Sequence, residues 1–169
     1  LGTTGSTLNL PVYLFNGVGG TRKFADGFAN ITIGSSSAGS IGVTGAATFT
    51  DSVTLLSGSN ITINASASVT TSQVGGSLVV AATGNFLNLA GASALQTTDA
   101  GSTDRWIVYT ANPTNANFGT SGTLVSGNKA FWGSTYSSLA PSSVAAGNRY
   151  VFNTAGTVTI TTTNASMTY

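Results

Sequence analysis

The chain has 169 residues, a formal net charge of +1 and only 5% charged residues, against roughly 25% in an average globular domain. The basic residues Arg22, Lys23, Arg105, Lys129 and Arg149 form no stripe that could neutralise a row of phosphates, which removes nucleic acid from the expected partners. Without Cys, His or Glu there is no disulfide framework, no structural zinc site and little material for acid–base catalysis, so the expectation is a non-enzyme with no cofactor and no metal.

The polar residues are mainly Ser, Thr, Asn and Gly, and the apolar ones include many Val, Ile, Leu and Phe. That mix favours pleated strands and turns over helices. Leu1 stands where an initiator Met would, which suggests a piece of a longer polypeptide. The first predicted strand spans residues 8–15, and residues 1–29 read as an N-terminal strand and connecting segment.

From Asn30 onward, short alternating runs recur: Ile31 with Ile33, Ile41 with Val43, Ala47 with Phe49, Val53 with Leu55, Ile61 with Ile63, Leu78 with Val80, and Leu87 with Leu89. Residues two apart share one face of a strand. Turn punctuation separates the runs at Gly34-Ser35-Ser36-Ser37, Ser57-Gly58-Ser59-Asn60 and Gly75-Gly76. Strands and turns that stay short and monotonous suit a parallel β-helix-like solenoid over residues 30–101, with a β-sandwich as the alternative all-β architecture.

Composition shifts after Gly101. Trp106, Tyr109, Phe118, Phe131, Trp132, Tyr136, Tyr150 and Phe152 concentrate in the segment that also holds Pro113 and Pro141. Residues 102–169 therefore read as an aromatic-rich β subregion, flanking or capping the solenoid and ending in an alternating strand at Thr157-Val158-Thr159-Ile160-Thr161. No apolar run approaches the roughly 18 residues that cross a bilayer, so membrane insertion is not expected.

Asn85-Phe86-Leu87-Asn88-Leu89-Ala90-Gly91-Ala92-Ser93-Ala94-Leu95, followed by Arg105-Trp106-Ile107-Val108-Tyr109-Thr110-Ala111-Asn112-Pro113, resembles filamentous-haemagglutinin-like bacterial exoproteins. Ser126-Gly127-Asn128-Lys129-Ala130-Phe131-Trp132-Gly133 and Gly147-Asn148-Arg149-Tyr150-Val151-Phe152 are similar to the succeeding segments of that family's sequence. Arg22-Lys23-Phe24-Ala25-Asp26-Gly27 resembles the Tyr-Asp-Gly signature of its repeats, departing from it at Phe24 and Ala25, and residues 163–169 resemble the start of a further repeat. The resemblance implies a secreted, extracellular, fibrous adhesin at the bacterial cell surface, with no catalytic residues. It also implies neighbouring copies or repeats of the same protein, end to end, as partners.

Trp106, Tyr109, Trp132 and Tyr136 are the candidate glycan-stacking residues, because aromatic rings combine apolar faces with polar tips; the competing reading is that they fill a core. Asp99 and Asp104 are the closest pair of carboxylates but lack calcium-loop spacing. The sequons at Asn30, Asn60, Asn64 and Asn164 read as turn or ladder residues. The expected function is that of a structural repeat or subunit of a surface fibre or filamentous adhesin, mediating attachment or cohesion. The alternatives are a carbohydrate-binding module contacting cell-surface glycans through those aromatics, and a pilin-like subunit that polymerises by strand addition.

Overall fold

Alternating β-branched residues, interrupted every few positions by Gly, Ser or Asn, produce strands of two to six residues joined by tight turns. A computed structural model describes residues 8–9, 27–97, 103–119 and 122–157. The strands are β1 (Leu8–Asn9), β2 (Ile31–Ser35), β3 (Ile41–Val43), β4 (Ala46–Phe49), β5 (Val53–Ser57), β6 (Ile61–Ile63), β7 (Ser68–Thr71), β8 (Ser77–Ala82), β9 (Phe86–Asn88), β10 (Leu95–Thr97), β11 (Arg105–Thr110), β12 (Ala130–Trp132) and β13 (Arg149–Phe152). Helix is confined to α1 (Asn115–Phe118) and two single 3-10 turns among the described residues. The expected all-β class holds.

From β2 to β10, consecutive strands lie in different sheets and every third strand pairs in parallel. The result is a four-stranded sheet β1-β3-β6-β9, a three-stranded sheet β10-β7-β4 and a six-stranded sheet β12-β13-β11-β8-β5-β2, open rather than closed. Parallel neighbours cannot be joined by a two-residue hairpin. Here the two intervening short strands make the crossover that a helix makes in other parallel sheets.

The register sets inward side chains in columns. Ile31, Val53, Leu78 and Trp106 follow one another across the six-stranded sheet, and Ile33, Leu55, Val80, Val108 and Tyr150 form the next column. Both columns belong to one core, which Ile41, Ile61 and Phe86 enter from the four-stranded sheet and Ala47, Val69 and Leu95 from the three-stranded one. Glycine lets neighbouring strands approach closely near the end of β2: Gly34 has φ +90, and a Cβ there would strike the Leu56 carbonyl oxygen.

After β11 the pattern changes. The chain passes through α1, which packs on β9, lays down β12 at the sheet edge, then returns to insert β13 between β12 and β11. Residues between β12 and β13 fold back over the outer face of the sheet. There Tyr136, Leu139 and Val144 cover Val79, Ala81, Ile107, Tyr109 and Val151 in a second cluster. The sheet is thus buried on both faces around β11, as expected of a parallel sheet.

Six of the seven alternating pairs point into the core or pack against it. Leu87 and Leu89 are the exception: β6 pairs Ile61 with Phe86 and Ile63 with Asn88, so Phe86 and Asn88 turn inward, and Leu89, in the bend just past β9, is 39% exposed. The boundary drawn between residues 101 and 102 falls outside the described residues, as do the predicted strand beyond Asn9 and the terminal strand beyond Thr157. The six-stranded sheet and the main core contain residues from both sides of that boundary.

Candidate functional site

Uncharged polar side chains satisfy the interior of this fold. Asn88 is fully buried; its Oδ1 accepts from the backbone N–H of Ala90 (3.1 Å) and Gly91 (2.7 Å), and its Nδ2 donates to the Gly91 carbonyl (2.9 Å). Asn117, also buried, donates to the Phe86 carbonyl (2.7 Å) and to Thr110 Oγ1 (3.2 Å), while its Oδ1 accepts from the backbone and hydroxyl of Thr114. Buried polar groups in a core are as a rule paired in this way, and Asn85 Oδ1 is the exception among the described residues. Asn60 and Asn148 cap stacked turns by accepting from the N–H of Asn85 and Trp106, which is the structural role expected of Asn60. Asn64 donates to the Val43 carbonyl, and Asn30 accepts from Thr54. Asn164 lies outside the described residues.

The four aromatic candidates do not form one platform. Trp106 is 3% exposed, in the main core and edge-on to Tyr150 at 5.1 Å. Tyr109 is 2% exposed on the opposite face of β11, because neighbouring residues of a strand point to opposite sides. Burial therefore takes Trp106 and Tyr109 out of the expected stacking surface and leaves Tyr136 and Trp132. Tyr136 is partly buried and meets Tyr109 edge to face at 5.4 Å. Trp132 is 46% exposed on the edge strand β12 and leans on Phe152 at 4.8 Å.

Each remaining aromatic lines a separate concavity. At the β12 end of the molecule a groove of about 380 Å³ runs between Phe118, Leu124, Val125, Trp132, Tyr150 and Phe152, with Asn128 and Lys129 at its side. On the lateral face, a cleft of about 160 Å³ lies between the sheet and residues 134–137. The hollow has a register cause: the outward column runs Gly34, Leu56, Ala81, Tyr109, and the short side chain of Ala81 stands between two large ones. Ser36, Thr83, Ser134, Thr135, Ser137 and Asn153 supply hydroxyls and an amide around it.

Two tyrosines and an arginine hold these concavities in shape. Tyr109 donates to the Leu139 carbonyl (2.8 Å), and burial together with the neighbouring Tyr136 pushes its phenol up from 10.0 to about 12. Tyr150 donates to the carbonyls of Asn117 (3.2 Å) and Leu124 (3.0 Å), and burial raises its phenol strongly as well. Arg105 donates to the carbonyls of Pro141 (2.7 Å), Val144 (2.7 Å) and Ala145 (3.1 Å), clamping the segment that covers the sheet.

Among the described residues, no group of three or more His, Cys, Asp or Glu converges. Asp104 accepts from the Gly76 N–H (3.1 Å), whereas its candidate partner Asp99 lies outside the described residues. Asp51 is buried and accepts from the Gly27 N–H (3.1 Å). No described helix is long and apolar enough to cross a membrane. The lateral cleft escaped sequence reasoning because its hydroxyl residues are the commonest kinds in the chain, and only the fold brings Ser36, Thr83 and Asn153 to one place. Comparison with protein-family models, with curated proteins and with solved structures gives no match.

Proposed function

We propose that this chain is a parallel β-helix-like structural segment of a secreted bacterial surface fibre, of the filamentous-haemagglutinin-like adhesin kind, and that it performs no catalysis. The observation that carries the reading is the parallel pairing of every third strand, which repeats the same three-sided arrangement from β2 to β10. Such a repeat adds length without changing cross-section, and each added turn buries the open face of the last. Stiffness then comes from backbone ladders and columns of side chains, and solubility from hydroxyls and amides on a surface with few charges.

The chain joins neighbouring copies or repeats end to end. Support comes from the β12 end, where Ala130 and Trp132 are exposed on the edge strand of the six-stranded sheet. An edge strand carries a row of N–H and C=O groups able to pair with a further strand. The test is to image the native material and record diffraction from oriented specimens. Filaments with the strand spacing of about 4.8 Å along their long axis are expected. Separate globular particles, or a spacing perpendicular to that axis, would overturn the reading. Turnover of a polysaccharide, peptide or ester that is lost on changing a single Asp would overturn its non-catalytic part.

A further inference from the structure

We propose that the lateral cleft beneath residues 134–137 is a binding site for one sugar unit of a neutral glycan. This goes beyond the fibre reading, since a stiff shaft needs no ligand on its flank.

The chemistry of the lining selects the ligand. No charged side chain is among the residues that line the cleft, so nothing there compensates a carboxylate, sulfate or ammonium group on entry. Leu56, on the outward face of β5, forms the apolar wall above the buried Ala81 and Tyr109, and Tyr136 supplies the accessible aromatic ring. A pyranose presents C–H groups on its faces and hydroxyls around its rim, which suits a site with aromatic and aliphatic walls and a polar border. Ser36, Thr83, Ser137 and Asn153 supply that border and are exposed at the mouth. Among the described residues, the side chains of Thr83, Ser134 and Asn153 make no hydrogen bond to another residue, so their donors and acceptors are open to a ligand.

Size restricts the ligand further. At about 160 Å³ the cleft is well below the roughly 300–1,000 Å³ of sites that enclose drug-sized molecules, so it takes a single ring and leaves the rest of a glycan outside. The cleft is also preorganised. Thr135 accepts at its carbonyl from the N–H of Ser138 (3.2 Å) and Leu139 (2.9 Å), the Ser138 hydroxyl accepts from the Thr135 N–H (2.8 Å), and Arg105 holds the segment downstream. Little ordering cost then remains to oppose a weak ligand. The end groove does not compete for this role, because Lys129 lines it and the proposed fibre contact lies beside it.

The experiment screens the whole chain against an array of neutral, sialylated and sulfated oligosaccharides, then titrates it with methyl pyranosides of glucose, galactose, mannose and N-acetylglucosamine while following backbone amide shifts. The expected result is saturable shifts at Ala81, Thr83, Tyr136 and Asn153 with a neutral sugar. Tyr136→Ala should weaken binding about tenfold by removing a ring contact. Thr83→Trp, at an exposed position, should abolish binding by filling the cleft while leaving the far-ultraviolet spectrum unchanged, and Trp132→Ala should leave binding as it was. Absence of neutral-glycan binding, binding of anionic glycans alone, or binding lost in Trp132→Ala and kept in Thr83→Trp would each overturn the assignment. None of these outcomes bears on filament formation, which the imaging experiment decides separately.

Discussion

The strands from β2 to β10 and the region from β11 to β13 share one sheet and one core but are specified in different ways. In the first region each turn of chain repeats the last: Ile31, Val53 and Leu78 occupy equivalent places, and Asn60, Ser57 and Gly58 settle the turns. In the second, the order of strands no longer follows the order of sequence, and long connections replace short ones. Large rings fill the space there, with Tyr150 lying edge-on to Trp106 and Phe118 and stacked on Phe152. Repetition lets many small contacts share the load, whereas an irregular closure concentrates it in a few residues that each touch several segments.

The largest effects should therefore come from the aromatic region. Trp106→Ala or Tyr150→Ala should cost roughly 3–5 kcal/mol by opening a cavity that the ladder around it cannot collapse. Trp132→Ala should cost well under half of that, because the ring is 46% exposed. Chemical denaturation of the three variants measures the contrast, and equal losses would break the distinction between core and edge.

Next in size is Asn88→Ala. It strands the N–H of Gly91 in the interior and leaves that of Ala90 unpaired at its margin, at the step from β9 to β10, and should cost about 1–3 kcal/mol. A loss below half a kilocalorie would mean that water replaces the amide. A pH titration separates the regions again. Tyr109 ionises near 10.0 unfolded and near 12 folded, so the folded state holds the proton more tightly. Its contribution is complete below pH 10 and is lost as pH rises through 12. Tyr150 acts in the same direction. Unfolding in this window should begin with loss of the β11 to β13 region, read by amide exchange, and Tyr109→Phe should weaken the pH dependence.

Much of the repetitive region was legible in the sequence, because inward pairs such as Ile61 with Ile63 and Val53 with Leu55 sit between Gly and Asn turns, and period-two alternation encodes a face directly. Parallel pairing was expected only in outline, and no local signal gives the register that sets Val53 beside Leu78. The insertion of β13 between β11 and β12 was invisible, since sequence order carries no information on which strand fills a gap left earlier. The aromatic candidates do not gather into one platform for a related reason. Trp106 and Tyr109 read alike in the sequence, yet their positions three apart on β11 send them to opposite faces, each buried by a segment distant in the chain.

The smallest expected effect tests that register at one point. In β9 the residues Phe86, Leu87 and Asn88 offer two readings of the strand, since Leu87 with Leu89 forms the more apolar alternating pair and Phe86 with Asn88 contains an amide. Hydrophobicity alone favours burying the leucines. The structure chooses the other face because Phe86 stacks on Ile61 and the Asn88 amide supplies bonds that the sharp turn at Gly91 requires, a gain that an inward Leu could not match. Replacing Leu89 by Thr keeps a strand-compatible side chain at a position already 39% in solvent. The change in stability should stay within about 0.5 kcal/mol, as for ordinary surface positions. Phe86→Ala, three residues earlier, should cost roughly 3–5 kcal/mol. If Leu89→Thr proved the more damaging of the two, β9 would have to pair one residue out of step, and the columns drawn across β3, β6 and β9 would fall with it.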